Sequence, residues 1–164
     1  MREHLDRRLR YLWTFELFNG LVWFPLLYYF VSRLFRLGWF SLVALVLVCA
    51  ILLVGTAFWY LKGQSLRRST PLARPAVRRF FSATKIGFGI LVALQLALFA
   101  VRAFVQSGAS GAELLVGGAL SLMAVLEYVN YYFYQLMYDN RADLEYLFTH
   151  RRLKRAVMVR DLGI

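Results

Sequence analysis

Four long apolar segments, separated by shorter polar ones, make up most of this chain. They lie at about 12–33, 39–61, 80–105 and 114–138. Each is long enough to cross the hydrocarbon core of a bilayer, which takes about 20 helical residues. The pattern therefore predicts an all-α integral membrane protein. We expect four transmembrane helices in one compact bundle over residues 1–138, followed by a tail at 139–164.

Lysine and arginine are unevenly distributed among the polar segments. They are frequent at 2–10, at 62–79 and in the tail, whereas the first and third connections contain only Arg33, Arg36 and Arg102. With four spans, the three basic segments fall on the same side of the membrane. The positive-inside rule therefore predicts that both termini are cytoplasmic. We expect the protein in the inner membrane of a bacterium.

The tail combines apolar residues with a basic cluster at 151–155. This pattern predicts a basic amphipathic helix at the cytoplasmic membrane surface. The alternative is that the tail docks under the bundle, with its arginines solvated or extended towards headgroups. The residues expected to contact anionic lipid are Arg67, Arg68, Arg78, Arg79, Arg151, Arg152, Lys154 and Arg155.

The composition narrows the possible chemistry. At 60% hydrophobic residues the chain is too apolar for a soluble domain, and its net charge of +11 lies between spans, so nucleic-acid binding is disfavoured. Cys49 is the only cysteine, and His4 and His150 both lie outside the predicted spans. We therefore expect no disulfide, haem, metal or other cofactor.

The end of the fourth segment, Leu126 to Arg141, is unusually polar for a membrane span. At 100° per residue, Glu127, Asn130, Tyr131, Tyr134 and Tyr138 fall on one face of a helix. An ionisable group at mid-bilayer is costly when it faces lipid. We therefore expect this face to point into the bundle, into a cavity or towards another subunit.

Positions along the spans suggest partners for this face. Gln95 and Glu127 are both expected near the membrane midplane, and Glu16 and Lys85 are expected at equal depth as an ion pair. Glu16 and Asn19 repeat the spacing of Glu127 and Asn130. The candidate binding or pathway residues are Glu127, Asn130, Tyr131, Tyr134, Gln95, Glu16, Asn19 and Lys85.

Other features have simpler interpretations. Trp13 and Trp59 lie near predicted membrane edges, where aromatic belts are expected. Gly117, Ser121 and Ala124 form a stripe of small residues that predicts close helix packing. Pro25 is expected to kink or loosen the first span.

These observations leave three hypotheses for function. The first is an oligomeric channel or transporter for an ion or a small amphipathic solute, with the polar face as its pathway. The second is an accessory subunit that binds a lipid or a membrane-protein partner. The third is a minimal lipid-modifying enzyme with Glu127 as acid or base. The spans contain no histidine-rich box, phosphate-binding glycine loop or serine-histidine pair, so enzymatic hydrolysis or group transfer is disfavoured.

The predicted topology can be tested with reporter fusions. We expect reporters at residues 70 and 164 to be cytoplasmic and one at residue 109 to be external, because the three basic segments share one side. Paired phosphatase and fluorescent-protein fusions measure this directly. A cytoplasmic reporter at 109 would contradict the four-span arrangement.

Overall fold

The computed structural model describes residues 2–104, 110–137 and 141–164, although the side chains of 2–4 and 141–143 are not part of that description. Within these ranges the chain is helical and has no β-strand, which confirms the all-α prediction. The helices are α1 (Arg2–Phe18), α2 (Phe24–Leu34), α3 (Trp39–Arg68), α4 (Pro75–Phe104), α5 (Gly111–Tyr132), α6 (Arg141–His150) and α7 (Val157–Leu162). A π-helical turn (Asn19–Trp23) joins α1 to α2.

Four of these helical runs are long and apolar enough to span a membrane, which confirms the predicted set. They are Leu5–Leu34, Trp39–Arg68, Pro75–Phe104 and Gly111–Tyr132. The first run remains continuous through Pro25 because the π-helical turn precedes it. There, the backbone N–H of Phe24 bonds the carbonyl of Asn19, one residue further back than in an α-helix.

Helix α3 is the centre of the bundle. In its most apolar stretch 56% of the residues are buried, a far larger share than in the other three, and α1, α4 and α5 all pack on it. Its buried residues include Val48, Ile51 and Phe58, which belong to one continuous core with Phe81 of α4 and Tyr132 of α5. The outward faces of the other helices remain apolar and exposed, as lipid contact requires.

The small-residue stripe on α5 lies at a close helix contact, as predicted. Gly117 faces the ring of Phe40 on α3 at a distance that leaves no room for a Cβ atom. Ser121, 3% exposed, accepts a 3.0 Å hydrogen bond from Nε2 of Gln95 on α4. Ala124 is also buried. The stripe therefore allows α5 to approach both neighbours.

The end of α5 differs from the prediction. The helix ends at Tyr132 and not near residue 138, because the side chain of Asn130 accepts the backbone N–H of Leu136 at 2.8 Å. The following residues pair instead with residues 151–164, which we call the C-terminal segment: Gln135 N donates to Lys154 O at 2.9 Å. The polar face therefore stops being helical before Tyr134.

The basic cluster at 151–155 also lies outside a helix. It forms an irregular segment between α6 and α7, so the structure does not place it on a basic amphipathic helix. In α7, Met158 and Leu162 are 1% and 2% exposed within the main core. Asp161 bonds Lys62 of α3 at 2.7 Å. These contacts correspond to the docked alternative for the end of the tail.

At the other end of the bundle, Glu113 joins α5 to the beginning of α3. Its carboxylate is 2% exposed and accepts hydrogen bonds from Gly38 N at 2.5 Å, Ser41 N at 3.1 Å and Ser41 Oγ at 3.0 Å. The carboxylate thus satisfies backbone donors that the first turn of a helix leaves unpaired, and it lies at the positive end of the helix dipole. We name this network the Glu113 cap.

We predict that Glu113→Ala lowers the free energy of unfolding by about 1–3 kcal/mol, because buried backbone donors lose their acceptor. Denaturant titration of the purified protein in detergent measures the change. Glu145→Ala, at an exposed position of α6, is the control and should have little effect. Equal stability of the two variants would show that the cap contributes nothing.

Candidate functional site

A cavity of about 730 Å³ lies between α1, α3, α5 and the C-terminal segment. Its walls are formed by residues of α1 and the π-helical turn from 5 to 23, of α3 from 52 to 62, and of α5 from 123 to 131. The remaining wall is formed by Gln135, Met137, Lys154, Val157, Met158 and Arg160. Its volume is in the range of pockets that enclose a small molecule.

The cavity communicates with the surroundings of the protein. Tyr11, Phe15 and Trp23, which line its α1 wall, are 59%, 44% and 50% exposed. These side chains follow the first span over much of its length. In a membrane this side would therefore face lipid, and the cavity would be accessible from the bilayer.

Polar and charged groups are distributed unequally over this largely aromatic and aliphatic surface. Glu16, Asn19, Glu127 and Asn130 lie along its middle. Four cationic residues from different parts of the chain line one end: Arg8, Lys62, Lys154 and Arg160. We name Glu16 and Glu127 the carboxylate pair and the four cationic residues the basic end.

The carboxylate pair comes from two helices that meet at α3. Trp59 of α3 donates its indole N–H to Oε1 of Glu16 at 2.8 Å. The hydroxyl of Tyr131 lies beside Oε2 of Glu16, where both atoms face Gly55. Glu127 is close enough to Glu16 and Tyr131 for electrostatic interaction with both.

Gly55 is essential to this geometry. A Cβ atom there would lie 2.7 Å from Oε2 of Glu16 and even closer to the ring of Tyr131. Contacts below 3 Å force atoms to move, and here one of them is on a buried aromatic ring. The absence of a side chain at Gly55 therefore lets α1 and α5 bring their functional groups to the same point.

Comparisons of the chain with known protein families, with curated proteins and with solved structures gave no match. The site must therefore be interpreted from its own chemistry. In the described part of the chain, no group of three or more His, Cys, Asp or Glu side chains is arranged to hold a metal ion.

The cavity brings together five of the eight candidate residues from the sequence. They are Glu16, Asn19, Glu127, Asn130 and Tyr131. Glu16 and Asn19 on one span and Glu127 and Asn130 on another therefore line the same cavity.

The ion pair between Glu16 and Lys85 was a wrong prediction. Nζ of Lys85 instead lies 5.5 Å from the centroid of the Phe133 ring, and its backbone carbonyl accepts from the Tyr128 hydroxyl at 3.0 Å. Equal expected depth does not make the two groups partners, because Lys85 faces Phe133 and Glu16 faces Trp59. Trp59 takes the position next to Glu16.

Gln95 and Tyr134 do not line the cavity either. Gln95 is buried between α4 and α5, where it bonds Ser121 and not Glu127. Tyr134 follows the end of α5, is 49% exposed, and pairs through its backbone with Arg155. Tyr138 lies outside the described residues.

Among the eight basic candidates, only Lys154 lines the cavity. Arg67 bonds Asp6 at 2.7 Å and Arg78 bonds the carbonyl of Gly163 at 2.7 Å. The others are exposed around the bundle end and the C-terminal segment: Arg68, Arg79, Arg151, Arg152 and Arg155. These exposed side chains stay candidates for headgroup contact.

Sequence reasoning missed Arg8, Lys62, Arg160 and the role of Trp59. The sequence shows only that Trp59 lies near the end of an apolar run, whereas in the structure its indole N–H bonds Glu16 of the neighbouring span. A search for neutral donors as well as cations at the depth of Glu16 could have found it.

We predict that Gly55→Ala destabilises the protein by about 1–3 kcal/mol, because a methyl group overlaps Tyr131 and Glu16. Thermal unfolding in detergent measures the loss. Gly87→Ala on α4 is a matched control, since a Cβ there meets no atom within 4 Å. The control should be neutral or gain up to about 1 kcal/mol from helix propensity. An unchanged Gly55→Ala variant would contradict the close approach at α3.

Proposed function

We propose that this protein binds one amphipathic molecule of the membrane in the cavity between α1, α3 and α5. The polar group would lie at the basic end, and the apolar part would follow the exposed aromatic side chains of α1 towards the bilayer. The observation that carries this proposal is the cavity itself. It has the volume of a ligand site, a wall of exposed aromatic side chains on α1, and cationic residues at one end.

The charges at the basic end favour an anionic group on the ligand. Lys62 and Arg160 share the carboxylate of Asp161, at 2.7 Å and 3.3 Å. One carboxylate thus serves two cations, and Arg8 and Lys154 add positive charge at the same end. Charge-assisted bonds to a phosphate or carboxylate are stronger than neutral ones, and arginine can bind such groups with two donors.

Binding explains the cavity better than permeation through a single chain does. The residues that line the cavity stop near the middle of the bundle. Beyond them, Phe40 stacks with Phe99 at a centroid distance of 6.0 Å, and the Glu113 cap joins α3 to α5. A transporter would need a second conformation or another subunit to continue the path.

We take the orientation of the site from the distribution of lysine and arginine. With cytoplasmic termini, the basic end would lie at the cytoplasmic face of a bacterial inner membrane. Anionic lipid headgroups are concentrated at such a surface, where each nearby cation contributes about 1 kcal/mol of attraction. The exposed arginines around the same end would add to this attraction.

A lipid-modifying enzyme is a second candidate, favoured by the position of the carboxylate pair. Glu16 and Glu127 share the cavity with the basic end. In such a reaction Arg8 and Lys62 would bind the headgroup, and Glu127 would act as acid or base. A chemically altered lipid after incubation with the protein would distinguish turnover from binding.

Binding can be tested with lysophosphatidylglycerol, an anionic single-chain lipid, titrated against the purified protein in non-ionic detergent. We expect saturable binding and a loss of about tenfold or more in affinity for Arg8→Gln/Arg160→Gln, since two cations leave the basic end. Intrinsic tryptophan fluorescence provides the signal, because Trp23 and Trp59 line the cavity.

The matched control is Arg68→Gln/Arg79→Gln, which removes the same charge from exposed positions outside the cavity. Its affinity should stay within about twofold of the unmodified protein. Equal losses in both double variants would show that only the general surface charge attracts the lipid. Absence of saturable binding would overturn the proposed function.

A further inference from the structure

The carboxylate pair has no cationic partner in the described part of the chain. The ion pairs found there connect Asp6 with Arg10 and Arg67, and Asp161 with Lys62 and Arg160. The groups that approach Glu16 are instead the indole N–H of Trp59 and the hydroxyl of Tyr131, and both are neutral. Glu127 has the neutral amide of Asn130 as its neighbour one turn away.

Two neighbouring carboxylates inside a helical bundle need either a cation that compensates their charge or a proton that neutralises it. An uncompensated charge within a membrane protein costs several kcal/mol, and two nearby carboxylates repel one another. Neutral donors reduce this cost without removing it. A positively charged group between the two carboxylates would satisfy both at once.

The walls around the carboxylate pair also suit a cation. Aromatic rings surround the middle of the cavity, including those of Phe15, Trp23, Trp59 and Tyr131. The faces of aromatic rings attract cations, and tryptophan does so most strongly. Nζ of Lys62, at the basic end, already lies 5.5 Å from the centroid of the Trp59 ring. The same indole thus has a carboxylate at its N–H and a cation near its face.

We propose that the ligand carries an ammonium group that binds between Glu16 and Glu127, next to Trp59 and Tyr131. This assignment rests on the proposed function, which puts an anionic group at the basic end. The ligand is then a zwitterionic amphipathic molecule with its negative charge near Lys62 and its positive charge near Glu16. Its apolar chain leaves the cavity along α1, past Tyr11 and Phe15.

Two single-chain lipids with the same acyl chain test the charge requirement. Lysophosphatidylethanolamine carries an ammonium group, whereas lysophosphatidylglycerol has hydroxyl groups at the corresponding end. We expect the unmodified full-length protein to bind the ethanolamine lipid about tenfold more tightly, because only that lipid forms charge-assisted bonds with the carboxylate pair. Tryptophan fluorescence in non-ionic detergent gives both dissociation constants.

Glu16→Gln and Glu127→Gln should each abolish this preference, measured as the ratio of the two dissociation constants. Glutamine keeps the shape of the side chain and can still accept the indole N–H of Trp59, so the fold should be preserved. Glu145→Gln, on the exposed surface of α6, is the control and should retain the full preference.

Equal affinity of the unmodified protein for the two lipids would overturn the ammonium assignment and leave the cavity as a site for anionic lipid. Equal loss of both affinities in Glu16→Gln would also overturn it, because the carboxylate would then stabilise the cavity without binding the ammonium group. If neither lipid binds, the proposed function itself is wrong. The comparison on the unmodified protein needs no variant, so it decides the question even where a substitution prevents folding.

Discussion

The close approach of α1 and α5 to the same point on α3 determines the rest of this structure. Gly55 allows it, because the position that a side chain would fill is taken by the Tyr131 hydroxyl and the Glu16 carboxylate. Glu16 of α1 and Tyr131 of α5 thereby lie side by side at one point of the central helix. The space that remains between the two helices is the cavity, which is why carboxylates from both helices face it.

The two ends of the bundle are closed in different ways, and for this reason only one end of the cavity is charged. At one end Glu113 binds the first turn of α3, and aromatic packing fills the interior. At the other end the C-terminal segment packs under the bundle through Met158 and through the ion pair of Asp161 with Lys62. That segment supplies cationic residues as well as apolar ones. The cavity is therefore apolar along the exposed aromatic side chains of α1 and charged at one end.

Polar neighbours inside the bundle explain three of the tyrosines near the end of α5. Tyr131 faces the carboxylate pair, whereas Tyr128 and Tyr132 bond α4 through the Lys85 carbonyl and the Thr84 hydroxyl, at 3.0 Å and 2.8 Å. The aromatic bodies fill the core while the hydroxyls satisfy groups that lipid cannot. One short stretch of sequence thus serves both the packing of the bundle and the chemistry of the cavity.

Hydrophobic periodicity and length determined that the chain has four long apolar helices and that Glu127, Asn130 and Tyr131 share one face, since both properties are local to a helix. The partners of that face were decided only by the tertiary structure. Trp59 meets Glu16, and Lys154 joins the basic end, through the rotation and axial offset of segments far apart in sequence. Depth along a span fixes one coordinate of a side chain and leaves its direction around the helix axis open. For that reason Lys85, at the depth expected for Glu16, lies beside Phe133 instead.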